Sequence, residues 1–284
     1  MTGKSPAGRK VARSSIDDRP ALDQLLAQRG VFHHVTGGGR FGALAEVEAF
    51  VGERQLVFLT GRGALPSLPE AIAGRRFSGS WWSQPEAHQI YALLETAEAD
   101  GLLGAPMLTA SLVSARHTVI APSLATSVAR LAADPERAER ALANCSTLAR
   151  QLIAAVSSDG SMRMDHPRFT GPAGRKARLE LERGLLAFTT SFHTELGRHV
   201  AVLQPWAVSP IARSAPAGQL ASLEDALAAI VRACLRSAVV AEAREAASWL
   251  RVGVEPDRLR SAWESLDLRR LRVAGSEWLA LQQS

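Results

Sequence analysis

Residues 157–206 read SSDGSMRMDHPRFTGPAGRKARLELERGLLAFTTSFHTELGRHVAVLQPW, and the order of patterns along them decides the expected fold. SSDG (157–160) closes a helix, and 161–165 is a short extended piece. A short segment around 166–170 leads into a basic helix over 174–186, with Leu179, Leu185 and Leu186 expected to face inward. Residues 187–192 and 200–203 then pair as a hairpin with Gly197 at the tip. Helix, short strand, short helix, basic helix and hairpin in that order make a winged helix-turn-helix.

Downstream, 205–219 holds three prolines and reads as a linker. The order then recurs, with helices over 223–237, 242–250 and 256–266 and strands at 268–273 and 278–281 around Ala274-Gly275. Upstream, 42–51 is helical in pattern, 55–59 is a short apolar strand, and 66–73 starts a helix with Ser67 as N-cap. SQPE (83–86) has the form of a capping box that opens a helix ending at Asp100-Gly101. Two strands, 102–113 and 117–121, flank Ser114-Ala-Arg116. A helix over 123–131 and a longer one over 135–156, capped by Asp134, complete the pass. The expected fold class is α+β, mostly helical, in tandem winged helix-turn-helix units. The expected organisation is a disordered basic arm (1–20), an N-terminal winged-helix-like domain (21–134), a central winged helix (135–206), a linker (207–220) and a C-terminal winged helix (221–284).

With 284 residues and 46% hydrophobic content, the chain can build real cores, and few aromatics favour helix over extensive sheet. The formal charge is +5, but the first twenty residues contribute five basic and two acidic residues. Clustering, rather than net charge, has to carry any nucleic-acid argument. Cys145 and Cys234 form no metal or disulfide pattern, and no apolar run is long enough to span a membrane. The start is basic without the apolar core of a signal peptide, so the expected setting is a reducing cytoplasm.

The stretch LLAFTTSFHTELGRHVAVLQPW (185–206) resembles the wing of the winged-helix DNA glycosylases that unhook interstrand crosslinks, the AlkZ/YcaQ type. LPSLPEAI (65–72), FSGSWWSQPE (77–86) and residues 221–281 are similar to AlkZ-related proteins as well. The resemblance implies three tandem winged-helix units around a concave basic channel that takes double-stranded DNA. It also implies a Gln-x-Asp or Gln-x-Gln pair in the N-terminal third that positions the attacking water. Here Gln55-Leu56-Val57 stands nearest that position, and Val57 offers no hydrogen-bond acceptor.

The candidate DNA-contacting residues are Arg163, Arg168, Arg175, Lys176, Arg178, His193, Arg198 and His199, in a segment with seven Lys/Arg against four acids. Cations at the start of a recognition helix reach a groove or phosphates, and a basic wing tip reaches the neighbouring backbone. The alternative is a solvated helix face on which Glu180 and Glu182 offset Arg178 and Arg183. Trp81 and Trp82 can stack on an unpaired base, or pack back on the first turn of the helix they precede. Gln84 and Glu86 are the candidate catalytic pair, a carboxylate beside an amide that can orient a water, although the capping box accounts for Glu86 without chemistry. GGGRFG (37–42) matches a dinucleotide-binding spacing but lacks the acidic residue after the next strand. His33-His34 has no partners at metal-ligand spacing, and no cofactor or metal is expected. Two functions therefore remain: a DNA-repair glycosylase, or a non-catalytic DNA-binding protein on the same scaffold.

Overall fold

Three times along the chain a helix leads into a short strand, then one or two helices, then a hairpin. The computed structural model describes residues 18–59, 63–193, 199–214 and 222–282. The first unit runs α2 (Leu44–Arg54), β1 (Leu56–Phe58), α3 (Leu68–Ala73), α4 (Ala87–Asp100), β2 (Thr109–Val113) and β3 (Arg116–Ile120). The second runs α7 (Thr147–Asp159), β4 (Met162–Arg163), α8 (Gly171–Arg183), β5 (Ala187–His193) and β6 (His199–Pro205). The third runs α10 (Leu223–Ala238), β7 (Ala241–Glu242), α11 (Ala243–Ala246), α12 (Pro256–Glu264), β8 (Leu268–Val273) and β9 (Ser276–Leu281). Each unit makes a three-stranded antiparallel sheet in which the short strand pairs with the last strand of the hairpin: β1-β3-β2, β4-β6-β5 and β7-β9-β8. The fold class is α+β and mostly helical, as the sequence patterns indicate.

Among the described residues, four α-helices stand outside this repeat: α1 (Arg19–Phe32), α5 (Pro122–Ala132), α6 (Pro135–Ala143) and α9 (Pro210–Ser214). The first begins inside the segment expected to be a disordered arm. Asp18 accepts the Arg272 backbone N–H at 2.8 Å, and Leu22 packs with Val240, Leu271 and Val273, so α1 covers the last hairpin. Likewise α9 buries Ile211 in the main core within the segment read as linker. Residues 1–17 and 215–221 lie outside the described residues, as does Arg198.

Side-chain alternation makes the first sheet the centre of the molecule. Leu56 and Phe58 face a core shared with α5, α10 and Trp249, whereas Val57 faces α2, α3 and α4. The tips of two hairpins are two-residue loops with both residues at positive φ: Ser114 and Ala115, at 51° and 55°, and Ala274 and Gly275, at 50° and 81°. This is the primed geometry that matches strand twist.

Several expectations need correction. The helix expected over 135–156 is two helices, because Ser146 caps a new one by accepting from the Ala149 N–H at 3.3 Å. Asp134 caps the first of them as expected, accepting from Arg137 N–H at 2.9 Å. The helix expected over 242–250 shrinks to the four residues of α11. The strand expected from 102 starts only at Thr109, behind an isolated Leu102–Ala105 bridge. On α8 it is Leu181, not Leu179, that is fully buried.

The units are joined by buried polar groups as well as by apolar packing. Arg137 is 1% exposed, and its guanidinium donates to the carbonyls of Ala132 (2.9 Å), Gly184, Leu185 (3.4 Å) and Val252 (2.8 Å). Burial lowers its pKa to about 10, partly opposed by Asp134, so it stays protonated at neutral pH. His33 at the end of α1 donates through Nε2 to the Ser237 carbonyl at 2.9 Å. Burial, and then the charge of Arg29, push its pKa down to about 3.

Two outcomes follow. Arg137→Met should lower unfolding free energy by about 3 kcal/mol or more, because four carbonyls lose their donor; a loss under about 1 kcal/mol in urea unfolding would remove it as a joint. His33 is neutral in the folded chain and protonates in the unfolded one. Its contribution is therefore intact above pH 6.5 and is lost as pH falls, at about 1.4 kcal/mol per unit. His33→Gln should flatten stability between pH 6.5 and about 5, read by thermal melts; an unchanged slope would refute the assignment.

Candidate nucleic-acid interface

Helix α8 places its residues by close packing at both ends. Gly174 is obligatory, since a Cβ there would lie 1.5 Å from the Phe169 carbonyl oxygen. Gly174, Ala177 and Leu181 form the buried stripe, which leaves Arg175 and Lys176 exposed and Arg178 half-buried. Among the described residues, Arg175 and Lys176 make no hydrogen bond or ion pair. Arg175 and Arg178 line a cavity of about 520 Å³, together with Asp165, Phe169, Val200 and Ala201. The cavity lies between the turn ahead of α8 and strand β6.

The other candidates are dispersed around this centre. Arg163 is held by Asp165 in a two-pronged pair at 3.0 and 2.6 Å, which raises the arginine pKa and lowers that of the aspartate. Arg168 turns toward α7, reaching Gln151 at 3.4 Å. His193 and His199 are paired across the end of the β5–β6 ladder. The acids expected to cancel the helix cations are largely engaged elsewhere. Glu180 accepts the Ser146 N–H at 2.8 Å and so holds the start of α7. Glu182 is buried and accepts from the Thr189 hydroxyl, with Arg178 at 4.0 Å.

The helices at the equivalent place in the other units have different charge. Helix α4 (AHQIYALLETAEAD) is acidic, with Glu95, Glu98 and Asp100 exposed. On α12, Arg258 lies within 4.0 Å of Glu136, Glu224 and Glu255, and Arg260 pairs with Asp257 at 3.0 Å. One basic surface was missed in the sequence. LRRLRV on β8 presents Arg269, Arg270 and Arg272 outward, with Arg270 paired to Glu277 at 3.1 Å. The alternation of Leu271 and Val273 with arginines was its signal.

SQPE does not form the capping box. Residues 81–83 make a single 3₁₀ turn, and Ser83 Oγ donates back to the Ser80 carbonyl at 2.8 Å. Glu86 itself occupies the N-cap position of α4, and its carboxylate faces two arginines. Arg75 donates to both oxygens, at 3.2 and 2.8 Å, and Arg40 donates to one at 3.0 Å. Arg75 also takes the Gln84 side-chain carbonyl at 3.0 Å. These bonds, led by Arg75, hold the Glu86 carboxyl below the usual carboxylate range. Trp81 packs on the core of the first unit and stacks on Trp82 at 3.8 Å between ring centres. Trp82 is 61% exposed, with Tyr91 5.8 Å away, so the pair is neither wholly staple nor wholly free. Gln55 reaches Ser123 at 3.4 Å, and Val57 is fully buried.

No family model, curated protein or solved structure matches the chain. Among the described residues, no helix is long and apolar enough to cross a membrane.

Glu86→Gln should weaken the fold most at neutral pH, because it removes the charge that both arginines face. A carboxyl with a lowered folded pKa contributes stability above its ordinary value of 4.5, and loses it as pH falls through the folded value. The melting-temperature gap between wild type and variant should therefore be constant from neutral pH down to about pH 5 and close below it. A gap that persists in acid would show that shape, not charge, is what Glu86 supplies.

Proposed function

We propose that this chain binds double-stranded DNA in the cytoplasm, with three tandem winged helices as scaffold and the central unit as the reading head. Helix α8 enters the groove and the β5–β6 hairpin follows the adjacent backbone as its wing. The observation that carries the reading is the contrast among equivalent helices: α4 is acidic and α12 has its arginines paired, while α8 presents Arg175 and Lys176 unpaired. Free cations on one exposed helix face are what counterion release from a duplex requires.

Within that reading we favour binding without excision. The resemblance to AlkZ-type glycosylases proposes repair of alkylated or crosslinked DNA, and that chemistry needs a free acceptor to hold water against the sugar. Glu86 and Gln84 both spend their oxygens on Arg75, and Val57 is an apolar core residue. Neither place offers the acceptor as it stands.

Arg175→Ala with Lys176→Ala should weaken duplex binding and reduce the slope of log K against log salt by about 0.9 per lost phosphate contact. Fluorescence anisotropy across a salt series reads both. Arg258→Ala with Arg260→Ala is the control and should leave the slope unchanged. A slope unaltered by the α8 pair would place the DNA surface elsewhere. Abasic-site formation on alkylated or crosslinked duplex by the wild type would restore the glycosylase reading and leave the binding surface standing.

A further inference from the structure

Helix α1 is braced at both ends: Asp18 accepts the Arg272 backbone N–H at 2.8 Å, and His33 donates to the Ser237 carbonyl at 2.9 Å. Between these points Leu22 and Leu25 pack it on the last hairpin. Beside that apolar contact, α1, the last turn of α10 and strands β8 and β9 border a cavity of about 750 Å³. That volume lies within the range that small-ligand pockets occupy. Its apolar lining is graded: Leu235 and Ala280 are buried, and Leu25, Phe32 and Leu281 are half-buried.

The polar part of the lining carries charge of one sign. Arg236 on α10 and Arg269 on β8 are both exposed, and neither side chain makes a hydrogen bond or ion pair among the described residues. The described lining holds no aspartate or glutamate. Two other arginines of the third unit are neutralised: Arg270 pairs with Glu277 at 3.1 Å, and Arg258 lies within 4.0 Å of three acids. Gln24, Gln28 and Gln282 complete the rim with side-chain amides that are likewise uncommitted among the described residues. Two cations beside one apolar cavity repel each other, and an anion seated between them turns that repulsion into attraction.

We infer that this groove binds a small amphipathic carboxylate. Arg236 and Arg269 hold its head, and Leu25, Phe32 and Leu235 receive its apolar body. A guanidinium meets a carboxylate through two parallel N–H···O bonds, and such charge-assisted bonds are about twice as strong as neutral ones. The apolar lining adds affinity by taking the body of the ligand out of water. The head alone is too weakly held by exposed cations, and the body alone leaves the arginines unmatched, so both parts are required. The groove lies on α1, α10 and the third hairpin, whereas the DNA reading rests on α8, so the two stand separately.

The test is isothermal titration of the full chain with 2-naphthoate, 2-naphthalenemethanol and acetate. The naphthoate should bind saturably, the neutral alcohol about tenfold or more weakly for want of the charge, and acetate should give no binding heat for want of the apolar body. Arg236→Gln and Arg269→Gln should each weaken naphthoate about tenfold. Arg270→Gln removes the same charge from outside the lining and should leave naphthoate binding unchanged. Gln28→Trp, at an exposed residue of the lining, should fill the groove and block entry with both arginines in place. Circular dichroism checks that each variant folds. Saturable naphthoate binding that is weakened by the three lining variants and kept in Arg270→Gln supports the site. No saturable binding, equal binding of naphthoate and alcohol, or equal loss in all three arginine variants would overturn it. Tighter binding of 2-naphthyl phosphate than of naphthoate would overturn the carboxylate head in favour of a phosphate. Weaker duplex binding by the two lining arginine variants, without any naphthoate binding by the wild type, would give the groove to the DNA backbone instead.

Discussion

A single guanidinium ties the second and third repeated units to α5 and α6. Arg137 sits at the start of α6 and donates to Ala132 at the end of α5, to Gly184 and Leu185 just past α8, and to Val252 ahead of α12. Burying a charge this deeply is costly, and its pKa falls to about 10 as a result. The arrangement is tolerable because the partners are carbonyls at the C-terminal ends of two helices, where the helix dipole favours a cation. The planar fork of donors fixes directions as well as distances, so the elements it joins have one relative placement. Gly253 belongs to the same joint. A Cβ there would come within 2.6 Å of the Arg137 carbonyl oxygen, and its φ of 83° suits glycine best.

That joint governs how α8 is presented. Its C-terminal end is held by Arg137, its first turn lies against the Phe169 carbonyl, and Glu180 ties its flank to the start of α7. A helix fixed at three places can carry exposed cations at defined positions with little ordering cost on binding. Glu182, on the last turn of the same helix, is buried facing β2 of the first unit.

The repeat is one of backbone, not of charge. Three units share strand order, yet the helices that precede their hairpins carry acidic, free basic and neutralised surfaces. Packing needs only the apolar stripe at helical spacing, which leaves the outward residues free to differ. Topology therefore fixes where each of these helices sits, and the outward charge distinguishes one unit from another.

The sequence by itself determined what depends on near neighbours. The order of elements, the Asp134 cap, the basic run on α8, the hairpins around Ser114 and Ala274-Gly275, and Val57 as an unusable acceptor could all be read from spacing and residue type. Tertiary structure decided what depends on distant partners. SQPE has the local form of a capping box, but arginines from 11 and 46 residues away claim Glu86. The helix expected over 135–156 breaks at Ser146, whose own N–H goes to Glu180 on α8. Nothing in the sequence beside Arg137 marks it as a joint, because the carbonyls that bury it include ones from segments up to 115 residues away. Local hydrogen bonds have a fixed spacing that a sequence displays; a long-range donor becomes visible only once the chain has folded around it.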